Sequence, residues 1–175
     1  LGEEALPNPE HQTTPEAPII CAKLYDMIQN GCTHAVIESS SHGLSEKTNR
    51  LGSVLFDAVA FMNVTQEHLE FHGTLEQYRD DKANLFKALN KHDHKKILGS
   101  SEKAEQINAA GAVNLDDKAA GFFAQKTTHK VFGFSLKENP SVPDTINDYF
   151  TAKDIAETST GVTCRISKLH KQGAE

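Results

Sequence analysis

From Glu16 to Asn30 apolar residues fall at Ile20, Leu24, Met27 and Ile28, the spacing of one helical face, and Gly31 stands where a C-cap glycine belongs. The stretch before it, Leu1 through Pro18, is proline-containing and aperiodic and reads as an extended lead-in with a turn at Thr14-Pro15. Two short apolar runs bounded by polar residues, Ala35-Val36-Ile37 and Ala58-Val59-Ala60-Phe61-Met62, have the pattern of strands buried in a parallel sheet. The strongest periodic signal lies between Thr74 and Leu89. Thr74-Leu75-Glu76-Gln77 has the form of a capping box, and Leu75, Tyr78, Leu85, Phe86 and Leu89 trace one face.

Further along, Lys96-Ile97-Leu98 reads as a strand, Glu102 to Ala110 as a helix ending at Gly111, and Ala112-Val113 as another strand before Asn114-Leu115-Asp116-Asp117. Alternating strands and helices predict an α/β fold, a doubly wound, mostly parallel sheet flanked by helices. After about Thr128 the runs Lys130-Val131-Phe132-Gly133-Phe134 and Gly161-Val162-Thr163-Cys164-Arg165-Ile166, separated by a Pro- and Asn-containing loop, predict a small antiparallel β appendage. The expected organisation is residues 1–127 as the main α/β portion and 128–175 as a small antiparallel subdomain of it.

Composition narrows the function classes. With 175 residues, 38% hydrophobic and 24% charged, the chain has the make-up of a globular domain able to bury a sizeable core. A net charge of −6 with no Lys/Arg block argues against a nucleic-acid partner. No window approaches the roughly 18 apolar residues of a membrane span, so no membrane partner is expected. Cys21, Cys32 and Cys164 are scattered and match neither a disulfide framework nor a metal knuckle, which points to a reducing, cytoplasmic setting. The chain opens on Leu1 rather than Met, and a piece of a longer protein is the expectation.

Ligands of open α/β sheets gather beyond the carboxyl ends of the strands, where two polar clusters stand: Glu38-Ser39-Ser40-Ser41-His42-Gly43 and Asn63-Val64-Thr65-Gln66-Glu67-His68. A carboxylate and an imidazole there can converge on one divalent cation. Taken singly, Glu38 reads more readily as an ion-paired or capping carboxylate than as a metal ligand, and His68 evenly as a cap or a ligand. His42 and His72 read as structural hydrogen-bonding residues. The Ser39-Ser40-Ser41 run is not a Gly-x-Ser-x-Gly nucleophile elbow. Lys82 falls on the apolar face of the best helix, where two readings stay open. Its head can snorkel to water, or desolvation can favour the neutral amine, a nucleophile toward dissolved carbon dioxide whose carbamate product is an anionic metal ligand.

Thr13-Thr14-Pro15, Glu38-Ser39-Ser40-Ser41-His42-Gly43-Leu44, the segment from Asn63 to Thr74, and Tyr78-Arg79-Asp80-Asp81-Lys82-Ala83-Asn84-Leu85-Phe86 together resemble, in order and spacing, the central domain of the Mur ligases. The Thr-Thr-Pro, Ser-Ser-His-Gly-Leu and Phe-His-Gly forms resemble the tripeptide-synthetase branch. The match runs from about Thr13 to Phe86, with Asn114-Leu115-Asp116-Asp117 and Gly133 matching more weakly. The resemblance implies a cytoplasmic, ATP-dependent ligase of peptidoglycan synthesis. Such an enzyme phosphorylates UDP-MurNAc-L-Ala-D-Glu to an acyl phosphate, which the amine of an amino acid then attacks. It further implies that Glu38, His68 and a carbamylated Lys82 (N6-carboxylysine) hold Mg2+, and that Thr13, Thr14, Ser40 and Arg50 contact the UDP-sugar substrate.

Two departures from the family pattern stand out. The arginine expected about six residues after the histidine of Ser-Ser-His is Thr48 here, with Arg50 the nearest; a two-residue insertion within Ser45 to Asn49 is the simplest account. No Gly-x-x-x-x-Gly-Lys-[Ser/Thr] phosphate loop is present in the 175 residues, so the chain alone is expected to lack ligase activity. The added amino acid, meso-diaminopimelate, lysine or another, stays open, as does the oligomeric state. Rival readings are a folylpolyglutamate or cyanophycin-type synthetase, a carbamylated-lysine metallohydrolase, which calls for denser His and Asp ligands, and a non-catalytic binding domain of the same fold.

Overall fold

The computed structural model describes residues 13–65, 68–97 and 104–171. The predicted lead-in before Thr13, Gln66 and Glu67 of the second polar cluster, Leu98, and the start of the helix expected from Glu102 lie outside them. The chain divides into two compact units. The first comprises residues 1–55, 66–85 and 93–107, and the second residues 56–65, 86–92 and 108–175.

In the first unit, helix α1 (Ala17–Gln29) begins after Glu16 with a proline in its first turn and ends at Asn30. The Gly31 φ of +79° lets the Cys32 N–H reach back 2.9 Å to the Met27 carbonyl, as the glycine C-cap predicts. Ala35-Val36-Ile37, expected as a buried strand, is not one: residues 32–40 carry no regular structure and Val36 is fully exposed. A strand exists through the ladder it shares with a neighbour, and no described strand pairs with this run. Two single-turn helices follow, α2 (Ser41–Leu44) and α3 (Leu69–His72).

Helix α4 (Leu75–Ala88) confirms the strongest periodic signal, with Tyr78, Ala83 and Phe86 buried although Leu75 is exposed. Only half of the capping box forms. The Thr74 hydroxyl accepts from the Gln77 N–H at 3.1 Å, but the Gln77 side chain turns to Asp81 at 3.0 Å. A short antiparallel pair completes the unit, β2 (Lys95–Ile97) with β3 (Ala104–Gln106). The helix expected over Glu102 to Ala110 is therefore corrected. Its described part forms β3 over residues 104–106 and opens β4 at Ala110; β3 is held by backbone pairing to β2, Ile107 N–H donates to His94 O at 2.8 Å, and a short run of mixed periodicity yields to such partners.

The second unit is built on a five-stranded sheet, β1 (Ala58–Phe61), β4 (Ala110–Asn114), β5 (Lys130–Ser135), β6 (Asp148–Thr158) and β7 (Gly161–His170), in that spatial order. Pairings β1·β4, β4·β5 and β5·β6 are parallel and β6·β7 is antiparallel, which gives the mostly parallel α/β sheet that the alternation predicts. Lys130–Phe134, expected in the antiparallel appendage, instead lies inside the parallel sheet. The crossover through α5 (Ala120–Ala124) is long enough to bring β5 back beside β4 in the same direction. The antiparallel feature is the long β6–β7 hairpin, and β6 occupies residues read as loop.

Burial alternates along the inner strands rather than running continuously, so one sheet face carries the core. Phe123 of α5 stacks on Phe61 at 3.8 Å and meets Phe86 at 5.7 Å. Gly133 faces Leu115 so closely that a Cβ there would lie 2.6 Å from Leu115 Cδ1, so a larger residue would require the Leu115 side chain to shift.

Candidate functional site

Thr14 organises the first polar cluster. Buried to 1% exposure, its hydroxyl donates to the Glu38 carbonyl at 3.1 Å and accepts from the Ser40 N–H at 3.0 Å. Its own carbonyl accepts from Arg50 Nη1 at 2.9 Å, while Arg50 Nη2 pairs with Glu16 at 2.8 Å. Its methyl packs where a side chain on Gly43 would stand, since a Cβ there would come within 2.5 Å of Thr14 Cγ2. The Ser40 hydroxyl accepts from the Gly43 N–H at 3.2 Å and so caps α2. Glu38, Ser40, Thr14 and Arg50, separated in sequence, are thus one hydrogen-bonded group. Thr13 is exposed beside it, and the Glu38 side chain is exposed.

His68 and Lys82 meet on a different surface, the ring of Tyr78. The His68 and Tyr78 ring centroids are 6.4 Å apart, and Lys82 Nζ lies 5.3 Å from the Tyr78 centroid, with the lysine half-buried. A cation over an aromatic face is attracted by the ring quadrupole while the ring displaces water from it. His68 does not cap α3 through its side chain. It holds a left-handed φ of +56°, a conformation costing roughly 1–2 kcal/mol in a non-glycine residue, and its Nδ1 is 3.5 Å from Glu70. Such strain collects where the surrounding structure needs a side chain aimed in one direction.

His42 sits among aromatic rings, 4.9 Å from His68, 4.2 Å from Phe71 and 5.3 Å from His72. Burial, followed by repulsion from His68 and His72, lowers its pKa from the usual imidazole value and favours the neutral ring at pH 7. The Glu70 carboxyl is held below its usual value by its own backbone N–H first and by His68 after it.

Reading by sequence missed a buried chain of polar groups beneath these residues. His72 Nδ1 lies 2.7 Å from Asp81 Oδ2 and His72 Nε2 lies 3.0 Å from Ser41 Oγ, with the imidazole fully buried. The structural hydrogen-bonding role read for His72 is what the structure shows. Asp81 carried a signal that could have been used: a carboxylate three residues after Tyr78 on the buried face of α4 must find a partner. The Ser-His-Asp order resembles a nucleophilic triad, but Ser41 is 3% exposed and no substrate reaches it.

In the second unit, the Asn114-Leu115-Asp116-Asp117 turn ties strand ends together. Asn114 Nδ2 donates to Met62 O at 2.8 Å, Asp117 accepts from the Val64 N–H at 2.9 Å, and Asp116 accepts from the Ser135 hydroxyl at 2.6 Å. The turn therefore stands at the carboxyl ends of β1, β4 and β5. Among the described residues, no helix is long and apolar enough to cross a membrane.

Comparison with known proteins gives a consistent answer. Residues 1–175 match the Mur ligase middle domain family. The chain is 47% identical over 180 residues to the UDP-N-acetylmuramyl-tripeptide synthetase of Treponema denticola, covering 100% of this chain and 32% of that protein. It is 36% identical over 151 residues to the UDP-N-acetylmuramoyl-L-alanyl-D-glutamate–2,6-diaminopimelate ligase of Corynebacterium efficiens, covering 80% of this chain and 28% of the relative. A solved structure of a UDP-N-acetylmuramoyl-L-alanyl-D-glutamate–2,6-diaminopimelate ligase superposes with a TM-score of 0.62 at 26% identity, over 92% of this chain and 28% of that one. The chain spans about a third of the length of these relatives.

Proposed function

The chain belongs to the Mur ligase middle domain family, and from that premise we propose that it forms the acceptor- and metal-handling part of a cytoplasmic, ATP-dependent ligase that adds the third amino acid to UDP-MurNAc-L-Ala-D-Glu. The observation that carries this reading is the meeting of His68 and Lys82 on the ring of Tyr78, in a chain whose relatives are named as tripeptide synthetases.

Glu38, His68 and Lys82 would hold Mg2+. Among the described residues, Glu38 and His68 share no close ligand set with a third His, Cys, Asp or Glu, and Lys82 is the further donor in this reading. Lys82 provides one if its neutral amine attacks carbon dioxide, forming an N–C bond and releasing one proton to solvent. Carboxylate and carbamate oxygens with one imidazole, on partly exposed side chains that leave room for water, suit a hard cation that keeps part of its hydration. When bound, the cation would offset the charge between the nucleotide γ-phosphate and the acceptor carboxylate.

The protein groups then have separable tasks. Tyr78 covers one side of the Lys82 amine and holds it near His68. Thr14 fixes the Glu38–Ser40 backbone, which leaves Thr13 and Ser40 to meet the UDP-sugar. Arg50 reaches substrate by exchanging its exposed Glu16 partner for a substrate anion. Oriented in this way, the acyl phosphate formed on the D-glutamyl carboxylate is open to the incoming amine.

The test uses the full-length parent protein with ATP, UDP-MurNAc-L-Ala-D-Glu and a panel containing meso-diaminopimelate and lysine. A UDP-MurNAc-tripeptide detected by mass spectrometry, formed with ADP and lost in Lys82→Ala, is the expected result. No tripeptide with any amino acid, or undiminished turnover in Lys82→Ala, would overturn the reading.

A further inference from the structure

The buried Ser41–His72–Asp81 chain has no task in the function just described, yet its three members stand beside the three residues that function needs. Ser41, the first residue of α2, lies three positions after Glu38; His72, the last of α3, lies four after His68; and Asp81 immediately precedes Lys82 in α4. The segments carrying Glu38 and His68 adjoin helices of four residues each, too short to hold an orientation by themselves. Their placement must come from tertiary ties.

We propose that Ser41, His72 and Asp81 form a positioning clamp that sets Glu38, His68 and Lys82 relative to one another and thereby controls carbamylation of Lys82 and retention of the divalent cation. The inference rests on the proposed function. Asp81 Oδ2 is 2.7 Å from His72 Nδ1 while Asp81 Oδ1 accepts from Gln77 Nε2 at 3.0 Å, so both carboxylate oxygens are committed inside the unit. In the neutral ring this leaves Nε2 to accept the Ser41 hydroxyl at 3.0 Å. The imidazole is fully buried and the Asp81 side chain is 5% exposed, so neither can exchange its partner for water and the geometry has one arrangement.

Two other ties among the described residues each join one pair of segments. Asn84 Nδ2 donates to Leu44 O at 3.0 Å and links α4 to α2, while exposed Lys47 donates to Phe71 O at 2.9 Å. The His72 imidazole joins α2, α3 and α4 at one point. Partners that orient metal ligands without touching the metal typically change metal affinity about 10- to 100-fold when removed.

The experiment uses the full-length parent with Asp81→Ala, Ser41→Ala and, as a control for general loss of stability, Asp148→Asn in the other compact unit. Lys82 carbamate is read by NMR after equilibration with 13C-bicarbonate, alongside thermal midpoints and the apparent activation constant for Mg2+. The clamp predicts that Asp81→Ala and Ser41→Ala lose most of the carbamate signal and need about 10- to 100-fold more Mg2+. Asp148→Asn should keep both properties despite a lowered midpoint. If the two clamp variants lower the midpoint but retain the carbamate signal and an Mg2+ constant within about twofold, the inference is overturned and the chain of groups is structural only. If Asp81→Ala does not fold, Ser41→Ala, which removes one hydroxyl, decides the matter. A wild-type protein without carbamate signal or Mg2+ requirement overturns the proposed function itself, a different failure.

Discussion

The two compact units are held together by different physics. In the sheet unit the organising contacts are backbone ladders and an apolar core, with the Phe123 ring in contact with both Phe61 and Phe86. In the other, long stretches lack regular structure and buried side-chain polar groups do the organising: Thr14 between Glu38 and Ser40, and His72 between Ser41 and Asp81. Ladders and apolar packing tolerate small changes because their energy is spread over many contacts. A polar node concentrates it in a few bonds whose loss strands a buried donor or acceptor. The residues proposed to bind metal and substrate all lie in the polar unit, where position can be specified atom by atom.

Four substitutions sharpen this contrast, starting with the largest effect. Lys82→Ala in the full-length protein should lower ligase turnover about a thousandfold or more while moving the thermal midpoint little, because its contribution is to charge stabilisation rather than packing; a midpoint collapse with proportionate activity loss would place Lys82 with the core. Phe123→Ala should destabilise by about 3–5 kcal/mol, measured by denaturant unfolding, because the ring fills space between Phe61 and Phe86. A cost below about 1 kcal/mol would mean that the stack is not the centre of the sheet unit.

Thr14→Val keeps shape but removes the hydroxyl that serves Glu38 O and Ser40 N. A loss of about 1–3 kcal/mol is expected from chemical unfolding, together with weaker UDP-substrate binding, and a neutral outcome would refute the node. The smallest effect belongs to Asp148, where Lys130, followed by His170, holds the carboxyl down at about 2. A depressed folded-state pKa means that the stabilisation is complete above the unfolded value of 3.8 and is lost as pH falls through about 2. Thermal midpoints of Asp148→Asn should therefore converge on wild type across the window from about pH 4 to 2, and parallel curves would show that the pairing contributes nothing.

Legibility in the sequence followed the same division. Helices α1 and α4 were readable because each is long enough to repeat its apolar face, and Gly31 and Thr74 mark a local ending and beginning. The run Ala58 to Met62 was readable as β1 for similar reasons. Ala35-Val36-Ile37 has the same local character and forms no strand among the described residues, which shows that an apolar run proposes a strand but a neighbour makes one. In the helix expected from Glu102, residues 104–106 became β3 because β2 lay alongside, and Ala110 opened β4. Glu38, His68 and Lys82 were visible as chemically capable residue types after apolar runs and on a helix face. Asp81 was visible only as a misplaced charge, and its pairing with His72 and Ser41 was not, since partners far apart in sequence leave no periodicity.

The sequence by itself determined the α/β class, the two long helices and the polar clusters in which chemistry could reside, because these depend on local periodicity and on which residue types end an element. Tertiary structure alone decided which apolar runs became strands, that β5 joined the parallel sheet, and that Thr14 and His72 became the centres of separate hydrogen-bonded groups. The reason is physical: a strand, a buried ion or a buried hydroxyl is stable only through a partner, and partners are chosen by the folded chain as a whole.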